Sequence, residues 1–223
     1  MTTTEQLSHQ KEVKTDEYGF DLKKTNDALF ILYGTANQGK TSTLFYLLLL
    51  LGRKSKTINN KSLISFIKKF ERIAPTGGLS YVDVRVIIPY EGKHIAITTF
   101  GDYREVCEEN YCFFKKSPSA SFYFYDGKDF VLSNDNGLNK EQKQLLRKLK
   151  PTIFLSACRT EGGAVDALKY CAHYFLPRIS QITWIRKFGG KIDSTKTRHS
   201  TVDANYAKDL KAAIDRIIKG NKL

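Results

Sequence analysis

Residues 28–41 read Ala-Leu-Phe-Ile-Leu-Tyr-Gly-Thr-Ala-Asn-Gln-Gly-Lys-Thr, an apolar run that ends in a glycine-rich turn. From Gly34 to Thr41 the stretch fits the pattern Gly-x-x-x-x-Gly-Lys-Ser/Thr at every fixed position. Ala28 to Tyr33 has the composition of a buried strand, and Ser42 to Leu51, dominated by leucine with no breaker before Gly52, reads as a helix. In a strand–turn–helix of this kind the backbone N–H groups turn inward around a phosphate, and the helix N-terminus adds its positive end. Gly34, Thr35, Ala36, Asn37, Gln38, Gly39, Lys40, Thr41 and Ser42 are therefore expected to cradle a nucleoside triphosphate. Lys40 would reach the β- and γ-phosphates, and Thr41 would place its hydroxyl on Mg²⁺.

Outward from this loop the pattern alternates between strands and helices. Residues up to about Asp27 show no sustained apolar period and read as a loose N-terminal arm, with residues 28–223 forming the nucleotide-binding domain. Ser62 to Ile73 carries Leu63, Phe66, Ile67 and Phe70 at helical spacing, with Pro75-Thr76-Gly77-Gly78 as its stop. Tyr81–Tyr90 and Lys93–Phe100 read as a β-hairpin turning at Glu91-Gly92, with Ile95–Phe100 the inner strand. Gly101-Asp102 then leads into a helix from Tyr103 to about Phe114, where Asp102 and Glu105 fit a capping box.

Phe122–Tyr125 and Asp129–Ser133 flank Asp126-Gly127-Lys128, a second hairpin within 121–133 that reads as an insertion. Its aromatic residues suit either a partner surface or packing against the next helix. Asn139 is placed to cap a short basic helix that Pro151 ends. Thr152–Ala157 is a further strand, 164–175 a helix and Ile182–Ile185 another strand. The basic stretch 187–200 has no clear pattern, and Asp203 reads as the cap of a last helix ending before Gly220. The expected fold class is α/β: three layers, a mainly parallel sheet with helices on both faces, and one antiparallel hairpin.

Ligands of open α/β sheets gather at the carboxyl ends of the strands. Mg²⁺ needs an anchor besides Thr41, and Asp102 is the expected one if the strand before it lies beside Ala28–Tyr33. Asp126 is a rival that a hairpin turn explains more simply, and Asp83 reads as a mid-strand residue paired with Arg85 or water. Arg104 and Arg159 are the cations best placed to neutralise charge on the γ-phosphate, with Gly162-Gly163 allowing Arg159 to approach or move. Thr98, Thr99 or Glu161 would hold an attacking water. None of the four histidines stands out as a general base, which phosphoryl transfer tolerates.

The loop, the hairpin and Gly101-Asp102 together resemble the P-loop NTPase superfamily over most of residues 28–218, and the order of elements is similar to that of small GTPases. Where such GTPases carry Asp-x-x-Gly, this chain has Thr99-Phe100-Gly101-Asp102, and no Asn-Lys-x-Asp motif follows to read guanine. ATP is therefore the expected ligand. The stretch Ala157–Gly163 also looks like a loop of small stand-alone bacterial ATPases.

The chain carries a net charge of +13, concentrated outside residues 1–27, where four lysines face six acids. Basic clusters fall around residues 53–61, 68–72, 140–150 and 186–198. They suit a polyanionic partner such as nucleic acid, or a solvated lysine-rich surface. No apolar stretch approaches the ~20 residues of a membrane span, and no targeting pattern opens the chain, so a cytoplasmic location is expected. The four cysteines lack zinc-site spacing and read as reduced core residues. The expected function is a Mg²⁺-dependent ATPase or nucleotide-dependent switch acting with a protein partner, a second copy or nucleic acid. A P-loop kinase for a nucleoside or polynucleotide is one alternative, and a nucleic-acid-binding module with slow or lost hydrolysis is another.

Overall fold

The computed structural model describes residues 27–35, 38–73, 79–160, 163–175, 179–187 and 198–220. The proposed arm before Asp27 and most of the basic stretch 187–200 lie outside them. Strand β1 (Asp27–Gly34) is buried along both faces. It leads into helix α1 (Lys40–Lys54), whose Leu44, Phe45, Leu47, Leu48 and Leu51 are buried. Helix α2 (Asn60–Lys68) is capped by Asn59, whose side chain accepts from the N–H groups of Lys61 and Ser62. The expected helix to Ile73 is cut short. Residues Glu71–Ile73 form strand β2, which pairs antiparallel with β3 (Leu79–Tyr81) in a small separate sheet.

The main hairpin is β4 (Arg85–Tyr90) and β5 (Lys93–Thr98), antiparallel with Arg85 opposite Thr98. Its turn uses Glu91 and Gly92 at φ 46° and 73°, the left-handed pair that a two-residue turn matched to strand twist requires. After helix α3 (Arg104–Phe114) come β6 (Tyr123–Tyr125) and β7 (Phe130–Leu132). This second hairpin extends the main sheet, because β6 pairs parallel with β4. Phe122, Phe124, Tyr125 and Phe130 are buried, and Phe130 stacks on Phe66 of α2 with ring centroids 4.1 Å apart. Those rings pack in the core.

Helix α4 (Lys140–Lys148) starts at a capping box between Asn139 and Gln142. Strand β8 (Pro151–Arg159), helix α5 (Ala164–Phe175), strand β9 (Ile179–Arg186) and helix α6 (Arg198–Lys219) complete the chain. Gly220 at φ 63° ends α6, its N–H bonded to Ile217 O.

The seven strands of the main sheet run in the order β7-β6-β4-β5-β8-β1-β9, and β5, β8, β1 and β9 are mutually parallel. Alternation along β1 divides the core. Ala28, Phe30 and Leu32 pack with α1, α2 and α6, while Leu29 and Ile31 pack with residues of α3 and α5. The expected α/β class with a mainly parallel sheet, helices on both faces and an antiparallel hairpin is what the chain adopts. One expectation fails: β5 does not neighbour β1, because β8 lies between them. Among the described residues no helix is long and apolar enough to cross a membrane.

Candidate functional site

The loop after β1 lies at the carboxyl end of the parallel strands. Gly39 adopts φ 73°, ψ 22° immediately before the helix, a conformation that favours glycine. A Cβ there would come within 2.4 Å of the Asp203 carboxylate, so close contact excludes a side chain as well. Gln38 stabilises the loop from inside, its Oε1 accepting from Thr35 N–H at 2.9 Å. Ala36 and Asn37 lie outside the described residues.

Lys40 is 7% exposed and curls back over the loop. Its ammonium donates to the carbonyls of Gly34 at 3.1 Å and Thr35 at 2.8 Å. Burial pushes it below its ordinary pKa, against the pull of Asp102. Neutral carbonyls answer a buried ammonium only in part. The Lys40 charge is thus stored beside the loop in the setting an anion would satisfy.

Two carboxylates face this ammonium closely enough to act on its charge, Asp102 more strongly than Asp83. Asp102 follows β5 by way of Gly101, and it is half-exposed and 3.5 Å from Arg159 Nε. It does not cap α3: Tyr103 is the N-cap, and no side chain closes that end. Arg159, the last residue of β8, has its backbone fixed on one side, its N–H donating to Gly101 O at 2.7 Å. The next N–H, of Thr160, reaches Gly34 O at 3.3 Å. Arg159 Nε is buried and makes no hydrogen bond, since the approach to Asp102 is ionic without hydrogen-bond geometry. Arg104 lies on the exposed face of α3 and pairs with Glu108 one turn along.

Asp83 is the residue that sequence reasoning misplaced. It precedes β4, and its Oδ1 accepts from the hydroxyls of Thr41 at 3.0 Å and Thr99 at 2.9 Å. Arg85, its expected partner, turns to Glu109, Asn110 and the face of Phe100 instead. Burial pushes the Asp83 carboxyl above its ordinary value, partly offset by the two threonine hydroxyls. The signal was present in the hairpin register: carrying the pair Arg85–Thr98 outward sets Asp83 opposite Phe100, beside the end of β5.

Thr99 is fully engaged, donating to Asp83 while accepting from Val84 N–H, and buried Thr98 donates to Asn110 Oδ1. Both hydroxyl protons are thus committed within the protein, and Glu161 and Gly162 lie outside the described residues. Asp126 is used by its turn, accepting from the N–H groups of Lys128 and Asp129 and from the Gln142 amide. His94 sits on β5 at the opposite end of the sheet.

Behind the loop lies a buried ion pair. Lys187, just past β9, donates to Asp203 Oδ1 at 2.5 Å, and the two side chains are 1% and 3% exposed. Asp203 stands in the second turn of α6, past the N-cap position expected of it; it also accepts from Thr43 at 3.4 Å. The Lys187 backbone N–H meets Tyr33 O at 2.7 Å, so the pair braces both the entry to the loop and its last glycine.

Cys107 and Cys158 are buried free thiols, and a hydrogen bond between them helps push the Cys107 thiol far up. They serve as the expected core residues. No group of three or more His, Cys, Asp or Glu among the described residues is arranged to hold a metal alone. A Mg²⁺ ion at Thr41 would therefore draw most of its oxygen ligands from phosphate and water. Set against protein-family models, curated proteins and solved structures, the chain gives no match.

Proposed function

We propose that the chain has a P-loop NTPase fold that binds ATP at Gly34–Ser42 and hydrolyses its γ-phosphate with Mg²⁺, as an ATPase or nucleotide-dependent switch working with a macromolecular partner. One observation carries the reading: the buried Lys40 ammonium held by the Gly34 and Thr35 carbonyls beside a left-handed Gly39, at the carboxyl end of a central parallel strand. An entering phosphate satisfies that ammonium better than two neutral carbonyls do. The unassigned Nε of Arg159 supports the reading from the other side, as a second donor with no acceptor of its own.

The residues present fit the ion such a reaction needs. Thr41 and a neighbouring carboxylate would hold Mg²⁺, which when bound neutralises charge on the β- and γ-oxygens. Lys40 binds and orients the phosphates, and Arg159 stabilises charge as the terminal phosphoryl group departs. ATP is preferred to GTP because the chain carries no guanine-reading motif. A polyanionic partner is supported by α4, which buries none of its residues and presents Lys140, Lys143, Arg147 and Lys148 to solvent.

Incubation with γ-labelled ATP, alone and with DNA, RNA or a nucleoside panel, tests the proposal. Release of free phosphate, stimulated by a partner and lost in Lys40→Ala, is the expected result. Wild-type turnover in Lys40→Ala would refute the assignment, and label passing to a nucleoside or polynucleotide end would make the chain a kinase.

A further inference from the structure

We infer that the two carboxylates beside the loop divide the work: Asp83 seats the divalent cation with Thr41, and Asp102 holds Arg159 in place until a phosphate oxygen takes it over. The inference rests on the nucleotide reading above and assigns the metal anchor within it.

The argument begins with a distance. In an octahedral Mg²⁺ site with bonds of about 2.0–2.1 Å, adjacent oxygens lie about 2.9 Å apart. Thr41 Oγ1 and Asp83 Oδ1 are 3.0 Å apart, the edge of such an octahedron. The Thr41 hydroxyl donates to the carboxylate; Thr41 and Asp83 would hold the ion through these two oxygens, and it would supply positive charge beside the phosphates. Thr99 then keeps Asp83 oriented, because its hydroxyl donates to the same carboxylate oxygen while its backbone N–H is fixed on Val84 O. Asp83 Oδ2 accepts no hydrogen bond among the described residues, so the carboxylate retains capacity for a water of the ion's shell.

Asp102 is differently placed. It follows β5, which only β8 separates from β1, and its charge is met by Arg159 at 3.5 Å rather than by a hydroxyl of the loop helix. Arg159 Nε is buried but unsatisfied there, so an oxyanion within reach offers it a hydrogen bond that Asp102 does not.

The test uses Asp83→Asn and Asp102→Asn in the full chain. Affinity for a fluorescent ATP analogue is measured with Mg²⁺ and with EDTA, and Mn²⁺ binding to the ATP complex is followed by electron paramagnetic resonance. Asp83→Asn is expected to lose at least about tenfold in Mn²⁺ affinity, a loss typical even of groups one step removed from an ion. It should keep its metal-free nucleotide affinity. Asp102→Asn should leave Mn²⁺ affinity unchanged and weaken the analogue only where a γ-phosphate is present, with ADP unaffected. Asp83→Cys gives a second reading: Mg²⁺ dependence lost and Cd²⁺ dependence gained, as a soft thiolate demands. A wild-type chain that binds no nucleotide in either buffer overturns the nucleotide reading and this assignment with it. Metal dependence kept in Asp83→Asn but lost in Asp102→Asn overturns the assignment alone.

Discussion

Replacing Asp203 with asparagine keeps the shape of the side chain and removes its charge, leaving the Lys187 ammonium buried without a counter-ion. In the native chain the two groups are 2.5 Å apart and almost wholly enclosed. Breaking a buried pair by removing one partner costs about 3–5 kcal/mol, because the surviving charge is uncompensated. Lys187 also lies 4.3 Å from the centre of the Tyr206 ring, and that cation–π contact survives the change. It is worth roughly 0.5–2 kcal/mol, which places the loss at the low end of the range, about 3 kcal/mol. For a chain of this size each kcal/mol moves Tm by about 2–4 °C, so a fall of roughly 6–12 °C is expected. Urea unfolding should show the midpoint falling at constant m. The control is the double variant Lys187→Met, Asp203→Leu, in which no charge remains buried and most of the stability should return. A loss under about 1 kcal/mol in Asp203→Asn, or a double variant no better than the single one, would refute the claim that an enclosed charge pair braces the loop.

Two further changes probe other parts of the fold. Gly101→Ala would drive its Cβ to 2.2 Å from Ala157 O, a backbone atom that cannot step aside. Overpacking of this kind costs about 1–3 kcal/mol, and thermal melting should register it; an unchanged melt would refute the close approach of Gly101 to the Ala157 backbone. At His94, burial holds the imidazole below its ordinary value of 6.5, reinforced by the Lys116 charge, and Nδ1 accepts from Lys150 N–H, as only an unprotonated nitrogen can. The unfolded chain therefore binds the proton more readily, and the stability due to neutral His94 is full above pH 6.5 and declines as pH falls below it. Denaturant titrations from about pH 8 to about pH 5, which bracket an ordinary histidine, should show that slope in the wild type and a flatter one in His94→Gln.

The strand–loop–helix at 28–54 was legible because each part is local: an apolar run, glycines at fixed offsets and an uninterrupted leucine stretch. The hairpin at 85–98 was legible for the same reason, through its Glu91-Gly92 turn. The order of parallel strands was not, since nothing in Thr152–Ala157 says that it lies between β5 and β1 rather than outside them. The misreading of Asp83 follows from a local rule applied too far. Val82, Val84 and Val86 alternate as a strand should, yet ladder pairing begins only at Arg85, and the Thr99 side chain takes the N–H of Val84. Lys187 and Asp203 were hidden by composition, because a lysine in a basic stretch reads as solvated surface and an aspartate near a helix start reads as its cap until a third element buries them.

The place of β8 bears on how the site would work. A strand between β5 and β1 brings its last residue, Arg159, up between the two strand ends that carry Asp102 and Gly34. Its own N–H is tied to Gly101 and the next to Gly34, so the backbone at Arg159 is fixed on both flanks before any glycine at 162–163 is reached. The motion expected from Gly162-Gly163 therefore does not extend to Arg159's main chain, and what can change there is the rotamer of one guanidinium. A cation delivered by a fixed strand would need no second copy of the chain to supply it. If the proposed nucleotide site is right, an arginine so placed would act in cis, and its response to a γ-phosphate would be the exchange of one carboxylate partner for an oxyanion within the reach of a single side chain.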